Sequence, residues 1–451
     1  MNKSKTIFIT SFHLLISRNI LSTPIIRTLV ANGVRVVIFV PDYKVAYFKQ
    51  VFGGENIIIE GVRSNQQSTH ISGLFFKRLF QMMLNTESIQ ILQGYRIHFG
   101  KQLWYESFFR LAQLLGRSKI VIGIFRFFDF YVSPKHLFRG LIRRYQPNLI
   151  FSTDVLNEND VALLQDARRE GIDTVGMVRS WDNLSVLSLM RILPDHLLVW
   201  NERLLREAVQ SNGMDPKGIS LVGVPHYDRY LAGPTVSHEV FLEKIHADPA
   251  KPVIFFAPIG DLYIQNNDTD RNVLDILSTL DANVIVRFPP FDTVSYLEDF
   301  QPPPHMYFDK PGIAFADKIV SHREISRADD DMLLNGIFYS DVVVTGPSTI
   351  IIEGALLGKP IVLINFHKQS RSFFEGLYSY NYTHIRPILE SGGAKMAHSR
   401  EELLSLIASY LRDPAQDREG RARIIEEQCW QADGKSGQRV AGTLLEKLSR
   451  V

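Results

Sequence analysis

Apolar and polar positions along this chain fall into two repeating series. Short runs of β-branched and aromatic residues, with no polar alternation, are each followed by a longer stretch whose apolar residues return every third or fourth position. Unalternating runs read as parallel strands covered on both faces, and the longer stretches as the helices that cover them. In the first series strands are predicted at residues 6–10, 34–40, 56–60, 147–154, 174–183, 194–200 and 219–224, with helices over about 19–32, 159–170 and 202–211. The second series places strands at 252–258, 283–289, 342–344 and 361–364, with helices over about 271–280, 331–340, 401–411 and 416–430. Strands separated by helices indicate an α/β protein with doubly wound parallel sheets.

Two such series fit the length, because 451 residues are too many for one core. The expected organisation is two tandem Rossmann-like domains, 1–232 and 233–436, followed by a C-terminal amphipathic helix in 437–451.

The pattern breaks once, between the third and fourth strands. Residues 69–145 are predicted as a helical insertion in the first domain, rich in Phe, Leu and Arg. From His70 to Gln146 there are twelve Lys or Arg against three acids, Glu87, Glu106 and Asp129. Basic and aromatic residues interleave here, as in Gly73-Leu-Phe-Phe-Lys-Arg-Leu-Phe80. One expectation is a surface for anionic lipid headgroups or for a lipid-linked or polyanionic acceptor. The plain alternative is a helical subdomain with its aromatics in a core and its basic residues solvated.

Charge and cysteine content narrow the setting. The net charge of +2 gives no reason to expect a nucleic-acid partner. The single cysteine, Cys429, supports neither a disulfide framework nor a cysteine zinc site and points to a reducing compartment. Residues 7–16 follow Lys3 and Lys5 and loosely mimic a signal peptide, but Thr10, Ser11 and His13 interrupt the run and no small-residue cleavage site follows. No stretch has eighteen consecutive apolar residues. The expected location is cytoplasmic, with peripheral contact at the inner face of the cell membrane through the insertion.

Residues 341–364 carry the most specific chemistry. Val342 to Val344 form a strand, Gly346-Pro347 breaks it, and Ser348 or Thr349 can cap a short helix that Gly358 and Pro360 end. A helix that starts directly after a strand turns free N–H groups and its positive end toward the strand's carboxyl edge. With Gly346 allowing close approach and Ser348 and Thr349 adding hydroxyls, the turn suits a phosphate or diphosphate. Glu353 stands one residue too far along to close a capping box with Thr349, which leaves its carboxylate to accept hydrogen bonds from vicinal hydroxyls. An ordinary strand–helix–strand unit is the bland counterpart.

Other residues stand at predicted strand ends: Arg287 in the second domain, and His13, Asp154, Arg179, Trp181 and Asp182 in the first. Asp268-Thr-Asp270 and Ala328-Asp-Asp-Asp331 read as helix starts rather than metal motifs, and no paired histidine–carboxylate spacing appears, so no metal is expected. The glycine-rich dinucleotide fingerprint is missing after the first strand, where Thr10-Ser-Phe-His13 stands.

Residues 340–360, the segment Gly223-Val-Pro-His-Tyr-Asp228 and the strand end Val286-Arg-Phe-Pro289 together resemble the GT-B glycosyltransferases. The likeness is to the CDP-glycerol glycerophosphotransferase and surface-polysaccharide branches, and to sugar-nucleotide 2-epimerases of the same fold. It implies that Gly346, Ser348, Thr349 and Arg287 hold the donor diphosphate and that Glu353 holds the ribose. The first domain would then carry the acceptor, with Asp182 and His13 as candidate bases and Arg179 and Trp181 as a sugar-binding lip. The glycerophosphotransferase pattern has a histidine where this chain has Phe288, which puts sugar transfer ahead.

The expected activity is therefore metal-independent transfer of a sugar from a nucleotide-diphosphate donor, a co-substrate with no resident cofactor, to a cell-surface glycan or lipid-linked acceptor. The rivals are a 2-epimerase or hydrolase of the same fold, a glycerophosphate or polyol-phosphate transferase, and a nucleotide-binding scaffold with no activity.

Overall fold

A computed structural model describes residues 4–63, 70–100, 103–261, 264, 267–290, 294–315 and 323–450. It divides into two compact units, Met1–His226 with Lys435–Val451, and Tyr227–Gly434. The division thus falls at 226 rather than 232, and the last helix belongs to the first unit.

The first unit holds seven parallel strands: β1 (Thr6–Thr10), β2 (Arg35–Pro41), β3 (Ile57–Val62), β4 (Leu149–Ser152), β5 (Asp173–Met177), β6 (His196–Val199) and β7 (Ile219–Leu221). Their order is β3-β2-β1-β4-β5-β6-β7, so the winding reverses between β1 and β4. Every residue of β1 and β4 is buried, as the unalternating pattern requires. β5 ends at Met177, so Arg179, Trp181 and Asp182 lie on the loop beyond it.

The terminal helix, Ser436–Arg450, buries Val440, Ala441, Leu444 and Leu448 against the helix Pro24–Ala31 and β4. Lys5 Nζ donates to the Leu448 carbonyl at 2.5 Å. Among the described residues no single helix is long and apolar enough to cross a membrane. The bent pair Leu14–Leu21 and Pro24–Ala31 passes by length and composition, but its Ile16, Ile20, Ile25 and Leu29 are buried in the first unit.

The insertion forms helices at Ile71–Met83, Glu87–Gly100, Leu103–Leu115, Lys119–Val132 and Arg139–Tyr145. It has a core of its own, built on Phe76, Phe80, Met83, Phe109 and Ile122. An ionic knot ties it to the sheet's cover. Arg191 donates to both carboxylate oxygens of Asp129, at 2.9 and 2.7 Å, and to Glu158 at 2.6 Å, with all three side chains at most 5% exposed. Asp129 lies on the helix Lys119–Val132 and Glu158 on the helix Glu158–Glu170.

The second unit has β8 (Val253–Ala257), β9 (Asn283–Arg287), β10 (Met306–Asp309), β11 (Ile313–Ala314), β12 (Arg323–Glu324), β13 (Val342–Thr345), β14 (Ile361–Ile364) and β15 (Lys395–Ala397). Six of them form a parallel sheet in the order β10-β9-β8-β13-β14-β15, which reverses between β8 and β13, while β11 and β12 pair antiparallel. The sequence pattern missed the edge strands β10 and β15. An edge strand needs fewer apolar residues, and Lys395-Met-Ala397 has little periodicity to show.

Candidate active site

In an open doubly wound sheet, ligands bind at the carboxyl ends of the strands where the winding reverses. Each unit has one such point, and the candidate residues gather near them.

In the second unit the point lies between the loops after β8 and β13. Gly346 does not stand against open space. A Cβ there would lie 2.3 Å from Ile259 Cγ1, so glycine is needed to pack the two loops together. That corrects the reading in which it leaves room for a ligand. The neighbouring loop is fixed by Asp270, fully buried, which accepts from the backbone N–H of Ile259 at 3.0 Å and of Gly260 at 2.8 Å. Asp270 belongs to the first turn of the helix Asp268–Leu277, capped by Asn267, as the helix-start reading held. Among the described residues no group of three or more His, Cys, Asp or Glu is placed to hold a metal.

Ser348 and Thr349 are half-buried at the turn. Ser348 Oγ accepts from Ile350 N at 3.3 Å, and Thr349 occupies the cap position with no side-chain cap bond. The helix that follows, Ile350–Leu356, has seven residues, so the hydroxyls rather than a long dipole give the turn its polar character. Glu353 lies in its first turn and is fully enclosed by protein. Contact with a ribose therefore requires the ligand to reach beneath the turn.

Arg287 is corrected more firmly. Its guanidinium pairs with Asp309, at the end of β10, and donates to the Asp329 carbonyl at 2.9 Å, with 7% of the side chain exposed. Asp329 closes a capping box with Ser326, so Arg287 fastens β9 to the start of the helix Arg327–Phe338. Both of its terminal nitrogens face protein. A second basic group that the pattern does not single out, Arg371, pairs with Asp268 at 2.5 Å beside His367. Burial, then Arg371, lowers the pKa of His367.

In the first unit the reversal lies between the ends of β1 and β4, and a buried polar chain fills it. Asp160, fully buried, accepts from Thr10 Oγ1 at 2.5 Å, from Ser152 Oγ at 2.8 Å and from Asp154 N at 3.4 Å. Burial, then the charge of Asp154, pushes its pKa up to about 7. Asp154 in turn pairs with Arg179. His13 caps the turn Leu14–Ile16, its Nδ1 accepting from Leu15 N at 3.2 Å. Burial, then Arg179 and Lys44, holds its pKa well below the ordinary value. The ring is thus neutral near neutrality with its proton on Nε2, so Nε2 donates, and it takes up a proton only if the cap is released.

The structure brings His13, Asp154 and Arg179 together around this point. Asp182 is half-buried on the loop after β5, and its charge helps to raise the pKa of Glu207. Trp181 is 5% exposed, and its carbonyl accepts from Arg203 at 2.7 Å. A ring packed in the core offers no face to a sugar, so the lip assignment of Trp181 is withdrawn. Sequence reasoning passed over Asp160, which reads as an ordinary residue in the first turn of a helix.

A cavity of about 250 Å³ opens beside this cluster, lined among others by Asp154, Glu158, Arg179 and Arg191 and by Lys77 and Gln81 of the insertion. Its walls are partly apolar, with Val155, Leu156, Val161, Leu187 and Leu189, and carry a few charged groups that could orient a ligand.

Asp160 yields a direct test. Its folded pKa lies above the unfolded carboxylate value, so its contribution to stability is complete below about pH 4 and is lost as pH rises through about 7. The loss approaches about 1.4 kcal/mol per pH unit across that window. Asp160→Asn keeps an oxygen for Thr10 and Ser152 but has no proton to lose. Urea midpoints between pH 4 and 8 should fall for the parent and stay flatter for the variant; parallel curves would contradict the assignment.

Two tandem Rossmann-like units with sheets of seven and six parallel strands define the GT-B fold. No protein-family model matches the chain, and no curated protein matches it in sequence. Solved structures share its fold. A UDP-GlcNAc 2-epimerase from Methanocaldococcus jannaschii aligns with TM-score 0.57 and 13% identity, over 98% of this chain and 100% of that one. The S. aureus MnaA–UDP complex aligns with TM-score 0.55 and 12% identity, over 99% and 98%. The glycotransferase of kitacinnamycin aligns with TM-score 0.53 and 15% identity, over 99% and 100%.

Proposed function

We propose that the chain is a glycosyltransferase that moves a sugar from a nucleotide-diphosphate donor to a glycan or lipid-linked acceptor. The observation that carries this reading is the cavity of about 250 Å³ in the first unit, with charged side chains on a partly apolar wall, which we assign to the acceptor, apart from the residues given to the nucleotide. The donor falls to Ser348, Thr349 and Glu353 in the second unit. The named neighbours, which include an epimerase of UDP-GlcNAc and a complex with UDP, support a uridine nucleotide as the first donor to try. Departure of the diphosphate needs charge stabilisation, which the two hydroxyls and the backbone of the turn can supply. Asp154, ion-paired to Arg179 on the cavity wall, is the group we assign to the acceptor proton; His13, whose Nδ1 is taken by the cap of Leu15, is left as a donor through Nε2.

A second reading, epimerisation of the sugar nucleotide, is favoured by the UDP-GlcNAc 2-epimerase among the structures that share the fold. Incubation with labelled sugar nucleotides, with and without a membrane extract, separates the two. Label moving to glycan or lipid supports transfer, and isomerised or free sugar without acceptor supports the second reading. Neither product, with nucleotide still bound, leaves a scaffold.

A further inference from the structure

The insertion is apolar on two sides. Its inner side fills a core, and its outer side is bare. On the helix Lys119–Val132, Ile120, Ile124, Phe127, Phe128 and Tyr131 are 48–77% exposed and recur at helical spacing while Ile122 is buried on the other face. A helix apolar all round is buried in protein or in lipid. The helix Ile71–Met83, which packs on the helices Leu103–Leu115 and Lys119–Val132, adds a second row in Ile71, Leu74 and Phe75, each at least 49% exposed. The helix Leu103–Leu115 adds Trp104, Leu111 and Leu114.

We infer that this face docks on an anionic phospholipid bilayer, lying in the headgroup region rather than crossing it. Charge selects the occupant. Among the described residues from 70 to 146, eight Lys or Arg are exposed, including Lys77, Arg78, Arg110 and Arg117, against one exposed acid, Glu87. A second copy of the chain would bring like charge to like charge, whereas an anionic surface complements the basic residues around the apolar rows. The inference rests on the reading of a lipid-linked acceptor and gives it a route. The helix Ile71–Met83 carries Leu74 and Phe75 on the bare face and lends Lys77 and Gln81 to the cavity wall. A bilayer-anchored acceptor can thus present its headgroup to the cavity while its tail stays in lipid.

The test uses the full chain and vesicles of phosphatidylcholine with or without roughly one third phosphatidylglycerol. Trp104, 67% exposed where Trp181 and Trp200 are 5% and Trp430 is half-buried, is the reporter, with Trp430→Phe as the background. Sedimentation with the anionic vesicles at low salt is expected, with a blue shift of the tryptophan emission and quenching by brominated acyl chains. Phe127→Ser combined with Phe128→Ser should weaken partitioning about tenfold or more. Arg78→Gln and Arg117→Gln should each weaken it about fivefold. Circular dichroism checks that the variants stay folded. Absence of binding to anionic vesicles at low salt overturns the inference. So does a lipid-free dimer that Phe127→Ser dissolves, which would assign the face to a second copy. Nucleotide titration in lipid-free buffer keeps the two readings apart: vesicle binding lost with nucleotide binding intact removes only the docking face, and the converse removes only the donor reading.

Discussion

Arg191→Ala should destabilise the first unit by about 3–5 kcal/mol. The substitution leaves Asp129 and Glu158 side by side, 0% and 5% exposed, with their shared counter-charge gone. Burial already raises the pKa of Glu158, and Arg191 is the main influence pulling it back. Asp129→Ala should have a smaller loss, because Arg191 gives up two hydrogen bonds but keeps its buried pair with Glu158. The double variant should lose less than the sum, since removing the second partner also removes the orphaned charge left by the first. Urea unfolding with an unchanged slope reads all three. Additive losses, or single losses below about 1 kcal/mol, would show that the knot is not coupled.

Glu353→Ala should weaken nucleotide binding by about 1–3 kcal/mol, up to roughly a hundredfold in Kd. Because the carboxylate is fully enclosed, the alanine variant also leaves a void, and lost stability could pass for lost affinity. Glu353→Gln separates the two effects. It keeps the volume and one acceptor oxygen but replaces the other with an amide donor, so a ribose held by both oxygens loses affinity while the melting temperature moves little. Calorimetric titration with UDP at fixed temperature, beside a melt without ligand, checks both. An unchanged affinity in both variants removes Glu353 from the donor site.

Much of the fold was legible because most strands are short and carry an unalternating run of apolar residues. Every strand expected in the two series is present; the strands that were missed, β10, β11, β12 and β15, have two to four residues, too short a run to stand out. The helix starts at Asn267 and Ser326 were equally plain, since their caps are local in sequence. The site was legible in part. Ser348, Thr349 and Glu353 lie where a strand–turn–helix places them, at a reversal point of the sheet. Arg287 misled, because its partner Asp309 stands on an edge strand that the pattern did not reveal. Trp181 misled because a strand-end tryptophan looks alike in sequence whether its ring faces solvent or core. Asp160 and Arg191 could not be found from sequence. The chemistry of Asp160 comes from Thr10, 150 residues away, and that of Arg191 from Asp129, 62 residues away.

On the proposed function, the second unit holds the diphosphate and ribose of a sugar nucleotide. The most direct measurement is a crystal structure of the chain soaked with UDP. Diphosphate oxygens are expected within hydrogen-bond distance of Ser348 and Thr349, with the ribose hydroxyls on Glu353. Nucleotide seated in the cavity lined by Asp154 and Arg179, with the turn at Ser348 untouched, would contradict it.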